Sequence, residues 1–270
     1  MNKPIRIVVA GAKGRMGQEW IHYMEGEPTF QLVAAVDRTL EGVDVGNALG
    51  GSSQAPFYTS LAEAIEKERP DCLVDFTTPE AGYRNALTAM EHGIRAVIGT
   101  TGFSEEQLKH LEEEHAKHPA GMLIAPNFAI GAVLMMQFSK MAARFLPDVE
   151  IIEMHHNQKL DAPSGTARKT AAMIQEVRQA HQQGHPNELE HMAGVRGGDM
   201  EGIRIHSVRL PGLVAHQEVI FGGEGETLHI RHDSNSRRCF MPGVALGIRY
   251  VMEHPQYIYG LEHILGGEMA

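Results

Sequence analysis

Cysteine is almost missing from this chain. Its 270 residues hold two, Cys72 and Cys239, far apart and in unrelated contexts. A disulfide framework is therefore not expected, and a reducing cytoplasm suits the composition. Long apolar runs are lacking too. The longest stretches, such as residues 130–136, fall well short of the ~20 needed to span a bilayer. The opening residues carry Lys3 and Arg6 and then run through residues 7–10 into a glycine turn, so no secretory leader is expected. Basic charge is in deficit: 24 Lys and Arg stand against 34 Asp and Glu, a net charge of -10. Such a chain lacks the electrostatic footprint of a nucleic-acid binder. One local basic pocket for a small anion remains compatible with it. The apolar share of 43% and charged share of 21% are ordinary for a globular protein and exclude wholesale disorder. The length predicts two domains or one large α/β domain.

The first 125 or so residues alternate between strand and helix signals. Residues 5–10, 30–36, 72–76, 96–98 and 122–125 read as short apolar strands. Residues 16–24, 61–68, 81–92 and 105–117 read as helices, the last begun by a Ser104/Gln107 capping box. This alternation predicts a parallel sheet covered on both faces, with ligands at the carboxyl edge of the strands. The pattern changes near Pro126. A helix is expected over residues 130–145, a strand over 149–154 and a helix over about 166–182. Strands over 203–210, 214–221 and 227–231 follow, joined by short turns. The fold class is thus α/β: a Rossmann-like parallel-sheet domain plus an α+β domain with a mixed, mostly antiparallel sheet. The expected organisation is 1–128 for the dinucleotide, 129–240 for substrate and oligomerisation, and 241–270 returning to the first domain.

Gly11-Ala12-Lys13-Gly14-Arg15-Met16-Gly17 lies between the first strand and the first helix. Small residues at a helix start let backbone amides approach a pyrophosphate. The spacing, G-x-x-G-x-x-G, departs from the usual G-x-G-x-x-G by one position. Asp37, twenty residues past Gly17 at the end of the second strand, strengthens the case. An acid there accepts from ribose hydroxyls and favours NADH, whereas Arg38 beside it can pair with the 2′-phosphate of NADPH. Use of both cofactors is the expectation. The loops at residues 75–79 and 99–103 end later strands at the same edge and read as a floor and wall for the ribose and nicotinamide, or as turns alone, and Asn127-Phe128 falls where the first domain gives way to the second.

Residues 153–167 are the densest polar segment, Glu-Met-His-His-Asn-Gln-Lys-Leu-Asp-Ala-Pro-Ser-Gly-Thr-Ala. His155 and His156 follow a strand, where successive side chains point to opposite faces. With no HExxH and no cysteine cluster, no metal site is expected. Ser164-Gly165-Thr166 precedes a helix whose free amides can hold a carboxylate. Lys159 can hold a second carboxylate or donate a proton, and a histidine can donate one near neutral pH. An anion clamp beside a proton donor, next to a hydride carrier, points to reduction of a small anionic substrate.

The run Glu153-x-His155-His156-x-x-Lys159-x-Asp161-Ala162-Pro163-Ser164-Gly165-Thr166-Ala167 resembles the signature of the dihydrodipicolinate (4-hydroxy-tetrahydrodipicolinate) reductase family. The glycine turn, Gly99-Thr100-Thr101-Gly102-Phe103 and Ala125-Pro126-Asn127-Phe128 resemble that family's other blocks, in the same order. The family uses G-x-x-G-R-M-G, which accounts for the glycine spacing. The resemblance implies that His155 and Lys159 are the catalytic pair. It implies that His156, Lys159, Gly165 and Thr166 bind the substrate, a cyclic imine dicarboxylate. It also implies cofactor contacts, for NADH or NADPH, at Gly11, Ala12, Lys13, Gly14, Arg15, Met16, Asp37, Arg38, Gly99, Thr100, Thr101, Ala125, Pro126, Asn127 and Phe128. A homotetramer built through the second domain's sheet and a place in diaminopimelate and lysine biosynthesis are implied as well. The alternative is another two-domain NAD(P)-dependent dehydrogenase acting on a small amino-acid or sugar substrate.

Overall fold

The computed structural model of the chain describes residues 3–179 and 181–265. Residues 1–2, Ala180 and 266–270, into which the expected first domain, the expected long helix and the returning segment extend, lie outside the described residues. Contacts divide the chain into two units, one running to Phe128 and resuming at Arg237, the other Ala129–Ser236.

In the first unit, β1 (Ile5–Ala10), β2 (Phe30–Val36), β3 (Phe57–Tyr58), β4 (Cys72–Asp75), β5 (Arg95–Ile98) and β6 (Met122–Ile124) join β12 (Tyr257–Tyr259). They form one seven-stranded sheet in the order β12-β6-β5-β4-β1-β2-β3. Every neighbouring pair is parallel. The apolar strands are buried because both faces are covered. Val8 and Ala10 of β1 pack into a core with α3 (Leu61–Glu68), α4 (Pro79–Glu91) and α5 (Glu105–Lys117). On the other side α1 (Arg15–Glu25) packs on β1 and β2, and α8 (Met241–Glu253) packs on β5 and β6. Trp20 of α1 anchors that layer, fully buried, with its ring 5.4 Å from Tyr23 and 5.5 Å from Phe30. Strand order reverses between β1 and β4, which makes the carboxyl edge at that point the topological switch of the sheet. The five-residue α2 (Val45–Leu49) lies between β2 and β3.

The second unit has a five-stranded sheet, β11-β10-β7-β9-β8. Its strands are β7 (Asp148–His155), β8 (Gly198–Met200), β9 (Ile203–Arg209), β10 (Ala215–Gly223) and β11 (Glu226–Ser234). All pairs are antiparallel except β7 with β9, so the sheet is mixed and mostly antiparallel, as the sequence implies. α6 (Ile130–Ala142) and α7 (Gly165–Gln175) lie together, α6 against β11 and α7 against β7.

Both helices are shorter than the sequence suggests. α6 stops because the Phe145 and Leu146 amides turn back to the Ala142 carbonyl, and Pro147 follows. α7 ends at Gln175, and three residues later the buried Arg178 donates to the carbonyls of Pro147, His181, Glu201 and Gly202. Three of these carbonyls lie 23–31 positions away, so Arg178 ties the chain just past α7 to Pro147 and to the turn at residues 201–202. A 3-10 turn, Arg237–Phe240, leads into α8, and the four-residue α9 (Glu262–Leu265) follows β12.

Candidate functional site

The parallel register makes the carboxyl edge of the first unit level. Val36, Ala10, Asp75, Ile98 and Ile124 pair across five neighbouring strands. The next residue of each strand continues the ladder. Gly11 donates to Val36, Phe76 to Ala10, Gly99 to Asp75 and Ala125 to Ile98, at 2.8–3.1 Å. The loops that begin at Gly11, Asp37, Phe76, Gly99 and Ala125 therefore stand side by side along roughly 19 Å of edge. This is where the structure places the residues expected to hold a cofactor.

Gly11 has φ +76, and a Cβ there would lie 2.5 Å from the Phe76 carbonyl oxygen. A Cβ on Gly17 would lie 2.4 Å from the Gly11 oxygen. Only glycine permits this turn and this seating of α1 on it. Ala12 is buried beneath the turn, Lys13, Gly14 and Arg15 are exposed, and Met16 is half-buried. α1 starts at Arg15 with Gly14 as N-cap, no side-chain cap and no acid in its first turn. Its amino end offers bare amides and a positive dipole, a fit for a phosphate.

Beside the turn opens a cleft of about 440 Å³ lined by Gly11, Asp37, Arg38, Thr77, Arg84 and Asn85, among others. Asp37 Oδ1 accepts from the amide and hydroxyl of Thr39 at 3.1 and 2.8 Å. Lys13 donates to the same hydroxyl at 2.9 Å. Lys13 thus braces the loop after β2. Gly99 sits against the rings of Phe76 and Phe128, which meet edge-on at 6.4 Å. Thr100 turns its side chain inward to Asp75, so it can serve a ligand only through its backbone, whereas Thr101 is exposed. Ala125 and Phe128 are buried, Asn127 is half-buried and Pro126 is exposed.

The second unit builds its polar centre from the alternation of β7. Val149, Ile151 and Glu153 face the core in turn, so the strand period delivers a carboxylate to an apolar position. Glu153 is fully buried. Its Oε2 lies 2.6 Å from His155 Nδ1 and accepts from Arg209 Nη1 at 2.9 Å. Its Oε1 accepts from Arg209 Nη2 at 2.7 Å and from the Ser164 amide at 3.2 Å. The register sets this up, because β7 and β9 pair His155 with Arg209 and Glu153 with Ser207. Burial pushes the Glu153 carboxyl up, but hydrogen bonds from His155, Arg209 and Ser207 outweigh it and bring it down to about 2.

A carboxylate accepts only, so Nδ1 of His155 carries a hydrogen and Nε2 becomes the atom that takes up or releases a proton. Arg209 also donates to the Asp161 carbonyl at 2.8 Å, tying the 156–163 loop to the end of β9. Lys159 pairs with the Asp161 carboxylate at 2.7 Å, and that hydrogen bond holds the Asp161 carboxyl below its usual range. His156 stands just past β7, its carbonyl accepting the Lys159 amide at 3.2 Å.

The Ala162–Pro163 bond is cis, and α7 begins two residues later. Ser164 caps it, its hydroxyl accepting from the Ala167 amide at 3.1 Å. The first helical bond runs from Arg168 to the Ser164 carbonyl. That leaves the Gly165 and Thr166 amides outside the helical ladder. A Cβ built on Gly165 meets nothing within 4 Å, so the protein itself leaves space there. Among the described residues no group of three or more His, Cys, Asp or Glu is placed to hold a metal. No helix among them is long and apolar enough to cross a membrane.

The pattern of dihydrodipicolinate reductase, N-terminus, matches residues 5–128, and that of the C-terminus matches residues 131–265. The chain belongs to the dihydrodipicolinate reductase family. It is 54% identical over 264 residues to the 4-hydroxy-tetrahydrodipicolinate reductases of Bacillus pumilus and Bacillus subtilis, covering 98% of this chain and 99% of each relative. A dipicolinate-bound dihydrodipicolinate reductase from Paenisporosarcina sp. TG-14 superposes with a TM-score of 0.89 at 48% identity, covering 97% of this chain and all of that one.

Three members of the polar centres in this reductase-family chain have no individual role that the sequence assigns. Glu153 was within reach of it, since its position in the alternating row of β7 marks it as buried. Arg209 comes from 56 positions away through a parallel pairing, which no local pattern reveals. Asp75 stands in the sequence only as one residue of a loop at the cofactor edge, because its burial depends on Asn85 and Thr100 folding over it.

Proposed function

We propose that the chain reduces the cyclic imine dicarboxylate derived from 4-hydroxy-tetrahydrodipicolinate to tetrahydrodipicolinate, in the diaminopimelate branch of lysine biosynthesis. The observation that carries this reading is the Glu153–His155 pair, which leaves Nε2 as the ring atom that exchanges a proton, in a chain 54% identical along nearly its whole length to reductases of that name. A reduced nicotinamide, when bound, supplies the hydride.

The chain's own residues do the rest. The α1 amides and the glycine turn receive the pyrophosphate, and Asp37 accepts from the adenosine ribose. Arg38 pairs with a 2′-phosphate where one is present, so both NADH and NADPH are used. The Gly165 and Thr166 amides hold one substrate carboxylate, and Lys159 with His156 holds the other. Substrate then competes with Asp161 for Lys159. Loss of water from the 4-hydroxy compound gives a conjugated ring that takes up one hydride and one proton. The proton comes from His155 Nε2 or Lys159 Nζ. A homotetramer assembled through the second unit's sheet belongs to the same reading, and among the described residues β11 is an edge strand of that sheet.

Oxidation of NADH or NADPH on freshly generated substrate tests the activity. His155→Gln should lower turnover by roughly a hundredfold or more, with NADH affinity nearly unchanged. Turnover close to that of the parent would remove His155 from the chemistry.

A further inference from the structure

Asp75 ends β4, the central strand of the first unit, with a side chain fully shielded from solvent. Its Oδ1 accepts from the Thr77 amide at 3.0 Å, the Thr77 hydroxyl at 2.7 Å and the Thr100 hydroxyl at 2.7 Å. Its Oδ2 accepts from Asn85 Nδ2 at 2.7 Å. The partners come from the loop after β4, the loop after β5 and helix α4, so one carboxylate joins three elements at the cofactor edge. Gly82 lets α4 come this close, since a Cβ there would lie 3.0 Å from Thr100 Cβ and 3.2 Å from Asp75 Oδ1.

Hydrogen-bond polarity follows from the chemistry of the hub. A carboxylate offers lone pairs alone, so each hydroxyl must turn its single hydrogen toward it and the Asn85 amide must turn its NH₂. A second contact from the Thr77 hydroxyl, to the Thr78 carbonyl, is 3.4 Å and too long to compete. Thr77 and Asn85 also line the cleft that holds Asp37 and Arg38. The Thr77 hydroxyl oxygen, its single hydrogen spent on Asp75, and the Asn85 carbonyl oxygen are left as acceptors there, and Asp37 adds a carboxylate. Asn85 keeps one N–H beyond its bond to Asp75, so this wall is an acceptor surface in the main, set beside the Arg38 and Arg84 cations.

We propose that Asp75 is a positioning residue of the cofactor edge, which by fixing Thr77, Thr100 and Asn85 presents an acceptor wall that receives the vicinal hydroxyls of a nucleoside ribose. The proposal rests on the cleft being the dinucleotide site. It implies a bias: NADH brings two ribose donors to this wall, whereas NADPH has exchanged one for a phosphate that has none.

Fluorescence titration of the full chain with NADH and with NADPH, beside a thermal melt, tests it. Asp75→Asn places an NH₂ against Asn85, which must flip and turn donors into the cleft. NADH affinity should fall about tenfold and NADPH affinity distinctly less. Adding Asn85→Asp restores a donor–acceptor pair in reverse order and returns an acceptor to the cleft, so NADH affinity should recover. If Asp75→Asn does not fold, Thr77→Val, at a half-buried position, should shift the cofactor preference in the same direction. Equal losses for both cofactors, or none, would overturn the role of Asp75 while leaving the cofactor site intact. A parent chain that binds neither nucleotide would overturn the cofactor reading itself.

Discussion

Each unit buries one carboxylate in the central strand of its sheet, and the two are held in opposite ways. Glu153 in β7 is clamped by a bidentate guanidinium from Arg209 and touches the His155 ring. Asp75 in β4 is surrounded by two hydroxyls, an amide nitrogen and one backbone amide, with no cation among these partners. The contrast extends to the neighbouring charges. In the second unit Lys159 has Asp161, and Arg196 has Glu150 and Glu188. In the first, Arg38 and Arg84 are exposed on the cleft, and among the described residues no ion pair or hydrogen bond engages either side chain. The Glu153 hub matches its charge with Arg209 and orients the His155 ring. The cleft beside Asp75 carries exposed cations, and its buried acid is held by neutral donors alone.

The sharpest way to break that contrast is to remove one partner from each hub. Arg209→Met leaves a fully buried carboxylate without its cation, which should cost about 3–5 kcal/mol. Asn85→Leu removes one neutral donor of four contacts, and the carboxylate keeps the rest, so about 1–2 kcal/mol is expected. Urea denaturation of both variants measures the difference. Similar losses would mean that the guanidinium does no more for Glu153 than the hydroxyls do for Asp75.

Acid should expose the same asymmetry. Because its folded-state carboxyl lies at about 2 against an ordinary 4.5, Glu153 stabilises the fold in full above the ordinary range. That contribution fades as pH falls from about 5 toward 2, and the total is roughly 3 kcal/mol. Glu153→Gln lacks a titrating group there. The stability gap between the parent and this variant should therefore be widest near neutrality and should shrink as the solution is acidified. A gap independent of pH over that window would show that the ion pair does not depress the carboxyl.

What the sequence makes legible follows how local each signal is. The strands of the parallel sheet and its glycine turn can be read because buried runs and turn residues abut. The Ser104/Gln107 box can be read because both of its bonds, at 3.0 and 3.1 Å, lie within one turn. β3, β8 and β12 span two or three residues, too few for any period to register. Lys159 reads as a free cation because nothing in the spacing decides whether Asp161, two residues on, faces it or solvent. Both hubs need partners brought in by the fold: Thr100 lies 25 positions from Asp75, and Arg209 lies 56 from Glu153. The strand-end loops were legible, and the acids that hold them were not.

The smallest expected effect concerns the open cations. Arg38 is exposed, so its attraction for a phosphate is screened by solvent and amounts to roughly 1 kcal/mol. Arg38→Ala should weaken NADPH by about fivefold and leave NADH nearly unchanged, because only NADPH brings a 2′-phosphate to that end of the cleft. The difference should shrink when salt is raised, as it must for an exposed charge but need not for a buried one. Arg84 lines the same cleft, so Arg38→Ala with Arg84→Ala should lose more NADPH affinity than either change alone if both face the phosphate. Equal losses of NADH and NADPH, insensitive to salt, would place Arg38 against a part common to both cofactors. The contrast between the two sites would then rest on the buried acids alone.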